Sequence, residues 1–232
     1  MEKYRHELKY LIDQGQMLLI RQRLEKTMRL DEHVKGGSYL ISSLYFDDYD
    51  DSCFHDVGAG VDLRKKYRMR YYDHDDSRIS LECKAKRQNL MLKRSTLLNK
   101  EESRALVKGR YLRDISAQDE MKKEFTGKMM AQGYHPVIIV EYERIPYVYK
   151  AGNVRITFDM NVRSSKDIEN FLGDYKRLRP VLPHGSLIME VKYDEYLPNV
   201  IYDCLNTGDL EQLSISKYTL CRRFITTAEE LI

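Results

Sequence analysis

The four cysteines of this 232-residue chain, Cys53, Cys83, Cys204 and Cys221, stand far apart with no Cys-x-x-Cys pair. That spacing argues against a zinc site and for reduced, structural thiols in a cytoplasmic protein. Six scattered histidines (His6, His33, His55, His74, His135, His184) supply no ligand spacing either. Long apolar runs are missing. The longest aliphatic stretch, residues 137–140, is far too short to span a bilayer, and no apolar segment near the N-terminus suggests a signal peptide. No Gly-x4-Gly-Lys-Ser/Thr loop is present, and Gly58-x-Gly60 lacks the third glycine of a dinucleotide fingerprint, since Leu63 stands there. A strong charge of one sign is absent as well. The formal net charge is only +3 although 32% of residues are charged, so bulk charge points to no partner, DNA included. Only the clustering of charges can.

What is present is alternation. Strand-like segments cover YRHELKYLI from residue 4, then 38–48, 62–73, 77–87, 88–97, a segment from 135 broken by Pro146, 154–163 and 186–196. Helical segments interrupt them. Asp13 and Gln16 form a capping pair for a helix to about residue 30, and Asn99-x-x-Glu102 opens another over 99–109. A third runs over 116–133 and stops at Gly133, Pro198 starts a short helix, and residues 216–224 are helical. No repeat or linker divides the chain, so one α+β domain over 1–232 with about eight mostly antiparallel strands is expected.

The polar faces of these strands share an unusual composition. The first carries Arg5, Glu7 and Lys9 on one side; the next carries Lys66, Arg68, Arg70 and Tyr72, opposite Tyr67, Met69 and Tyr71. Glu82, Lys84 and Lys86 share a face, as do Arg155, Thr157, Asp159, Asn161 and Arg163, and Glu190, Lys192 and Asp194. For a single strand, the solvated side of a half-buried sheet explains this. It explains less well why Ser, Gln and Asn are scarce and cations recur two residues apart. If the sheet closes, the polar faces line its inside and call for a polyanion, and the isolated glutamates suit a divalent metal bridging that polyanion's oxygens.

In order along the chain, YRHELKY, SLYFDD, YRMRYY, LECKAKR, VEYERIPY, VRITFD, MEVKYD and SKY at 216–218 resemble the VTC-type polyphosphate polymerase domain, a branch of the triphosphate tunnel metalloenzymes (CYTH-like superfamily). The resemblance implies a closed antiparallel barrel forming a basic through-tunnel, with helices packed outside. It implies transfer of the terminal phosphate of ATP to a growing polyphosphate chain, with triphosphate or pyrophosphate as related ligands. The phosphate-gripping positions would be Lys9, Arg68, Arg70, Lys84, Lys93, Arg144, Arg155, Lys192 and Lys217, and the parity reading adds Arg5, Lys66 and Lys86. Parity alone does not select Lys93, Arg144 or Lys217. Arg68, Arg70, Lys84, Lys192 and Glu190 would carry the chemistry. Mn²⁺ or Mg²⁺ would be held chiefly by Glu190, helped by Glu7 and Glu82.

Arg5 departs from the wider superfamily, which has a glutamate at that place. The departure favours the polymerase branch over simple triphosphatases. Eukaryotic members also carry a phosphate-sensing domain and membrane spans; this sequence shows neither, so that regulation is not expected within it. Two rivals remain: a triphosphatase, in which water replaces the acceptor chain, and a non-catalytic module that binds polyphosphate or RNA.

Overall fold

The structure, a computed structural model, describes residues 5–32, 34, 36–55, 63–87, 90–113, 115–116, 119–208, 210–214 and 216–229. Tyr4, His33, Gly58, Gly60, Asp62 and the start of the strand expected at 88 lie outside them. In chain order the strands are β1 (His6–Asp13), β2 (Arg29–Leu30), β3 (Tyr39–Asp47), β4 (Leu63–Tyr72), β5 (Asp75–Arg87) and β6 (Leu90–Leu98). They continue with β7 (His135–Tyr149), β8 (Val154–Ser165), β9 (Arg179–Pro180), β10 (Ser186–Tyr193) and β11 (Glu211–Gln212). The helices are α1 (Gln14–Leu24), α2 (Ser52–His55), α3 (Lys100–Val107), α4 (Glu120–Gln132), α5 (Asn199–Leu205) and α6 (Lys217–Glu229). β2, β9 and β11 have two residues each, so eight long strands build the sheet.

Local chemistry explains the boundaries. Asp13 accepts from the Gln16 amide while Gln16 reaches back to the Asp13 amide, and Asn99 and Glu102 do the same for α3. Gly133 ends α4 at φ 69°, a left-handed turn that favours glycine. α1 stops at Leu24 rather than running to residue 30, and the short helix α2 follows β3. Pro146 does not break β7. It falls between the β3 ladder, which ends at Tyr39↔Arg144, and β2, which pairs with Tyr147 and Val148, so the donor it lacks is not needed there. Its carbonyl accepts from the Asp31 amide at 3.1 Å.

Every pairing is antiparallel, in the order β11-β1-β10-β8-β7-β3-β4-β5-β6. The expected closed barrel is not what forms. The ladder is open: among the described residues no ladder joins β1 to β6, and one isolated bridge, Arg5↔Met91, links the residue before β1 to β6. Yet the sheet is strongly curled. β1 and β5 stand six strand spacings apart, about 29 Å if flat, and still Lys84 of β5 donates to both oxygens of Glu7 at 2.8 and 2.9 Å. The polar face is therefore concave.

The apolar face is covered as expected over most of its area. Tyr67, Met69, Tyr71, Leu81 and Cys83 are buried with Leu106 of α3 and Phe125 of α4, while Ile12, Ile156, Phe158 and Val191 pack with Ile20 and Leu24 of α1 and Ile201 of α5. All four cysteines are buried thiols. No helix among the described residues is long and apolar enough to cross a membrane. One helix corrects the expectation that all lie outside: the first turn of α6 sits on the concave polar side.

Candidate anion-binding cavity

The concave face holds a cavity of about 80 Å³ lined, among the described residues, by eight cations, Lys9, Lys66, Arg68, Arg70, Lys84, Arg144, Lys192 and Lys217, with one carboxylate, Glu190. Tyr45, Tyr142 and Ser216 complete the lining. A vestibule of about 400 Å³ shares Lys9, Lys66, Lys84 and Ser216 with it and adds Glu7, Arg64 and Lys86.

Register explains the gathering. In β1 and β10, Lys9 pairs with Glu190 and Glu7 with Lys192, so charges alternate across the ladder. In β4, β5 and β6, Lys66 pairs with Lys84, which pairs with Lys93, giving a row of three ammonium groups. β7 settles the open question of Arg144, directing it inward beside Tyr142 onto Asp159 of β8, with Nε–Oδ1 2.6 Å and Nη2–Oδ2 2.7 Å. This bidentate fork is buried on both sides.

The carboxylates are all engaged by cations. Lys217 of α6 reaches Glu190 at 2.6 Å and Asp159 at 2.5 Å; Lys192 lies 2.9 Å and Arg144 3.5 Å from Glu190. Burial alone would raise the Glu190 carboxyl, but Lys192, Lys217, Arg144 and Lys84 hold it well below the usual range. Glu7 follows the same pattern: burial opposes, and Lys84, Lys192 and Lys9 outweigh it despite nearby Glu190. Glu82 meets a different set, Arg68 at 2.6 Å, Lys93 at 2.5 Å and Arg70 at 3.8 Å, and is also held low against its burial.

The cations are less fully matched. Lys66 donates only to hydroxyls, Ser216 Oγ at 3.1 Å and Thr219 Oγ1 at 3.4 Å, and burial lowers it to about 8. Lys84 is lowered to about 7, by burial first and despite Glu7. Arg70 reaches Ser43 Oγ at 3.0 Å and the Tyr142 hydroxyl at 3.2 Å, and Arg68 the Tyr45 hydroxyl at 2.9 Å.

Among the expected phosphate contacts, four stand away from the cavity wall. Arg155 pairs with Asp31 at 2.7 Å and donates to the Tyr39 hydroxyl at 3.1 Å, in a separate depression. Arg5 engages Asp194 at 3.0 Å and the Asn153 carbonyl. Lys93 serves Glu82. Lys86 lines the vestibule only. Arg163, expected beside Arg155, turns to the other face. An extra residue in β8 at Asn161 (φ 52°) makes a bulge, and Arg163 pairs with Glu141 at 3.0 Å.

The expected metal ligands Glu190, Glu7 and Glu82 do not form a cage. Each already faces two or more cations, and among the described residues no three metal-ligating side chains are grouped. A hard divalent ion needs about six oxygen ligands, so these residues do not fit a preformed metal site. Asp159, Tyr45 and Tyr142 escaped sequence reasoning as site residues. Asp159 shared a polar face with Arg155, and that was the available signal.

The sequence matches the family described as VTC domain over residues 4–225. Among solved structures, a putative adenylyl cyclase from Hippeastrum, described as having a dominant triphosphatase activity, aligns with TM-score 0.51 and 13% identity, covering 96% of each chain. A Pyrococcus horikoshii OT3 protein aligns at TM-score 0.47 and 14% identity over 95% of this chain and 99% of its own. A putative adenylate cyclase from Bacillus halodurans does so at 0.49 and 12%, over 88% and 86%. At these identities the likeness concerns the fold. No curated protein matches.

Proposed function

The chain belongs to the VTC domain family, and we propose that it is a polyphosphate polymerase that transfers the terminal phosphate of ATP to a polyphosphate acceptor. One observation carries the reading: among the described residues, eight cations line one cavity with a single carboxylate among them. Such a surplus of buried positive charge calls for a polyanion. Phosphoryl transfer asks little else of a protein than in-line positioning and neutralisation of charge on the transferred oxygens. Arg68 and Arg70 would give bidentate contacts, and Lys9, Lys66, Lys84 and Lys192 point charges. Lys86 and Arg64 would guide the chain in the vestibule.

The state of the carboxylates favours a phosphate acceptor over water. Glu7, Glu82 and Glu190 are held below the usual carboxylate range by cations and are poor bases for activating water. A polyphosphate terminus is already an anionic nucleophile and needs no base. No covalent protein intermediate is required. The test is a product assay with ATP and Mn²⁺ or Mg²⁺ in the buffer. Long polymer with matching ADP supports the polymerase; ADP with only free phosphate makes the protein a triphosphatase; binding without turnover makes it a polyanion-binding module.

A further inference from the structure

Among the described residues, Lys217 is the one cavity cation that comes from a helix rather than a strand, so something must fix that helix to the sheet. Two ties do so. Tyr218, the next residue, is 1% exposed and donates its hydroxyl to the Asp47 carboxylate. Asp47 is fully buried at the end of β3 and also accepts from the amides of Asp48 (3.0 Å), Cys53 (2.9 Å) and Phe54 (3.1 Å). Its own position is therefore set by backbone on both sides of the β3–α2 junction. One turn further along α6, Arg222 pairs with Asp51 at 2.5 Å. The Tyr218 ring lies 5.1 Å from Tyr45, whose hydroxyl accepts from Arg68, and Lys66 sits 4.7 Å over the same ring.

We propose that Tyr218 and Asp47 are positioning residues that hold Lys217 between Asp159 and Glu190. The inference rests on reading the cavity as a triphosphate site, and neither residue lines that cavity. Lys217 is long and loses side-chain entropy when fixed. A helix start tied by a buried hydroxyl–carboxylate bond presents the ammonium at one place. With the tie cut, Lys217 leaves Asp159 and Glu190 with less neutralisation, and the two acids then repel incoming phosphate. A plain anchor for the C-terminal helix would instead lower stability without acting through Lys217 in particular.

The experiment uses Tyr218→Phe, which removes the hydroxyl and keeps the ring. Lysine acylation followed by mass spectrometry should find Lys217 protected in the wild type and labelled about fivefold faster in the variant, with Lys122, outside the cavity, unchanged. Tripolyphosphate affinity by calorimetry should fall about five- to tenfold for Tyr218→Phe, and the same change should be silent when made on Lys217→Met. Unchanged protection of Lys217, or an equal affinity loss in both backgrounds, overturns the proposal. If Tyr218→Phe does not fold, Asp51→Asn, which loosens the Arg222 tie, should give the same pattern at smaller size, and unchanged Lys217 labelling in it counts against the proposal. A wild type that does not bind tripolyphosphate would defeat the triphosphate reading instead, while the labelling arm still decides whether Tyr218 positions Lys217.

Discussion

The two halves of the concave face are built from the same residue types and handle charge in opposite ways. On β1, β10, β8 and β7, cations alternate with acids: Lys9 and Lys192 with Glu7 and Glu190, Arg144 with Asp159, and Lys217 between Asp159 and Glu190. On β4, β5 and β6, the acid is Glu82, set against Lys66, Arg68, Arg70, Lys84, Lys86 and Lys93. The first half is largely neutral in itself. The second has fewer acids of its own: Lys84 reaches across to Glu7 of β1, while Lys66 donates only to hydroxyls and burial pushes it down to about 8. On the proposed reading, structure and recognition divide between the halves: paired charges hold the curl together, and surplus charges would meet a ligand.

The largest effect should come from breaking the paired half. Asp159→Asn leaves Arg144 and Lys217 buried with Glu190 as their remaining carboxylate, and should cost about 3–5 kcal/mol of stability in a denaturant titration. A loss below about 1 kcal/mol would mean that the pairing is not structural. Next comes Arg68→Ala in the surplus half. Turnover should fall at least about a hundredfold, with a smaller stability loss than Asp159→Asn because Lys93 and Arg70 remain near Glu82; retained activity would erase the distinction. Arg70→Lys is milder, about tenfold in turnover through loss of the planar fork, with the thermal midpoint as the control.

The smallest effect concerns protons. In the free protein Lys84 loses its charge above about pH 7 and Lys66 above about pH 8, and a bound phosphate would restore both. Tripolyphosphate binding should therefore take up protons, and affinity should fall, as pH rises from about 7 toward the ordinary lysine range near 10. Calorimetry in two buffers of different ionisation enthalpy reads this directly. Equal heats in both would contradict the assigned state of these two lysines.

Much of this was legible in the sequence because strand parity is a strict code. It separated Lys66, Arg68 and Arg70 from Tyr67, Met69 and Tyr71, and it put Glu190 with Lys192. It failed where the backbone departs from alternation, as at Asn161, whose bulge turns Arg163 outward. Parity is also silent on pairing partners. Nothing in the order of residues said that Arg144 would meet Asp159, or that the glutamates would be saturated by lysines rather than left open to a metal. Nor does alternation say whether a curled sheet closes; that depends on whether β1 and β6 share a ladder, and among the described residues they do not. α6 was legible as a helix, but its seat on the polar side depends on a contact between Tyr218 and Asp47, 171 residues apart.

The most direct test of the division between the halves is tripolyphosphate calorimetry on the variant Lys66→Gln, with thermal melting of the same sample. The change removes the cavity lysine that donates only to hydroxyls and leaves the Lys84–Glu7 pair and the acid-bound groups around Asp159 and Glu190 intact. The account predicts an affinity loss of about tenfold or more, with a melting midpoint unchanged or raised by relief of like-charge repulsion. Wild-type affinity in the variant, or a collapse of its melting midpoint, would contradict it.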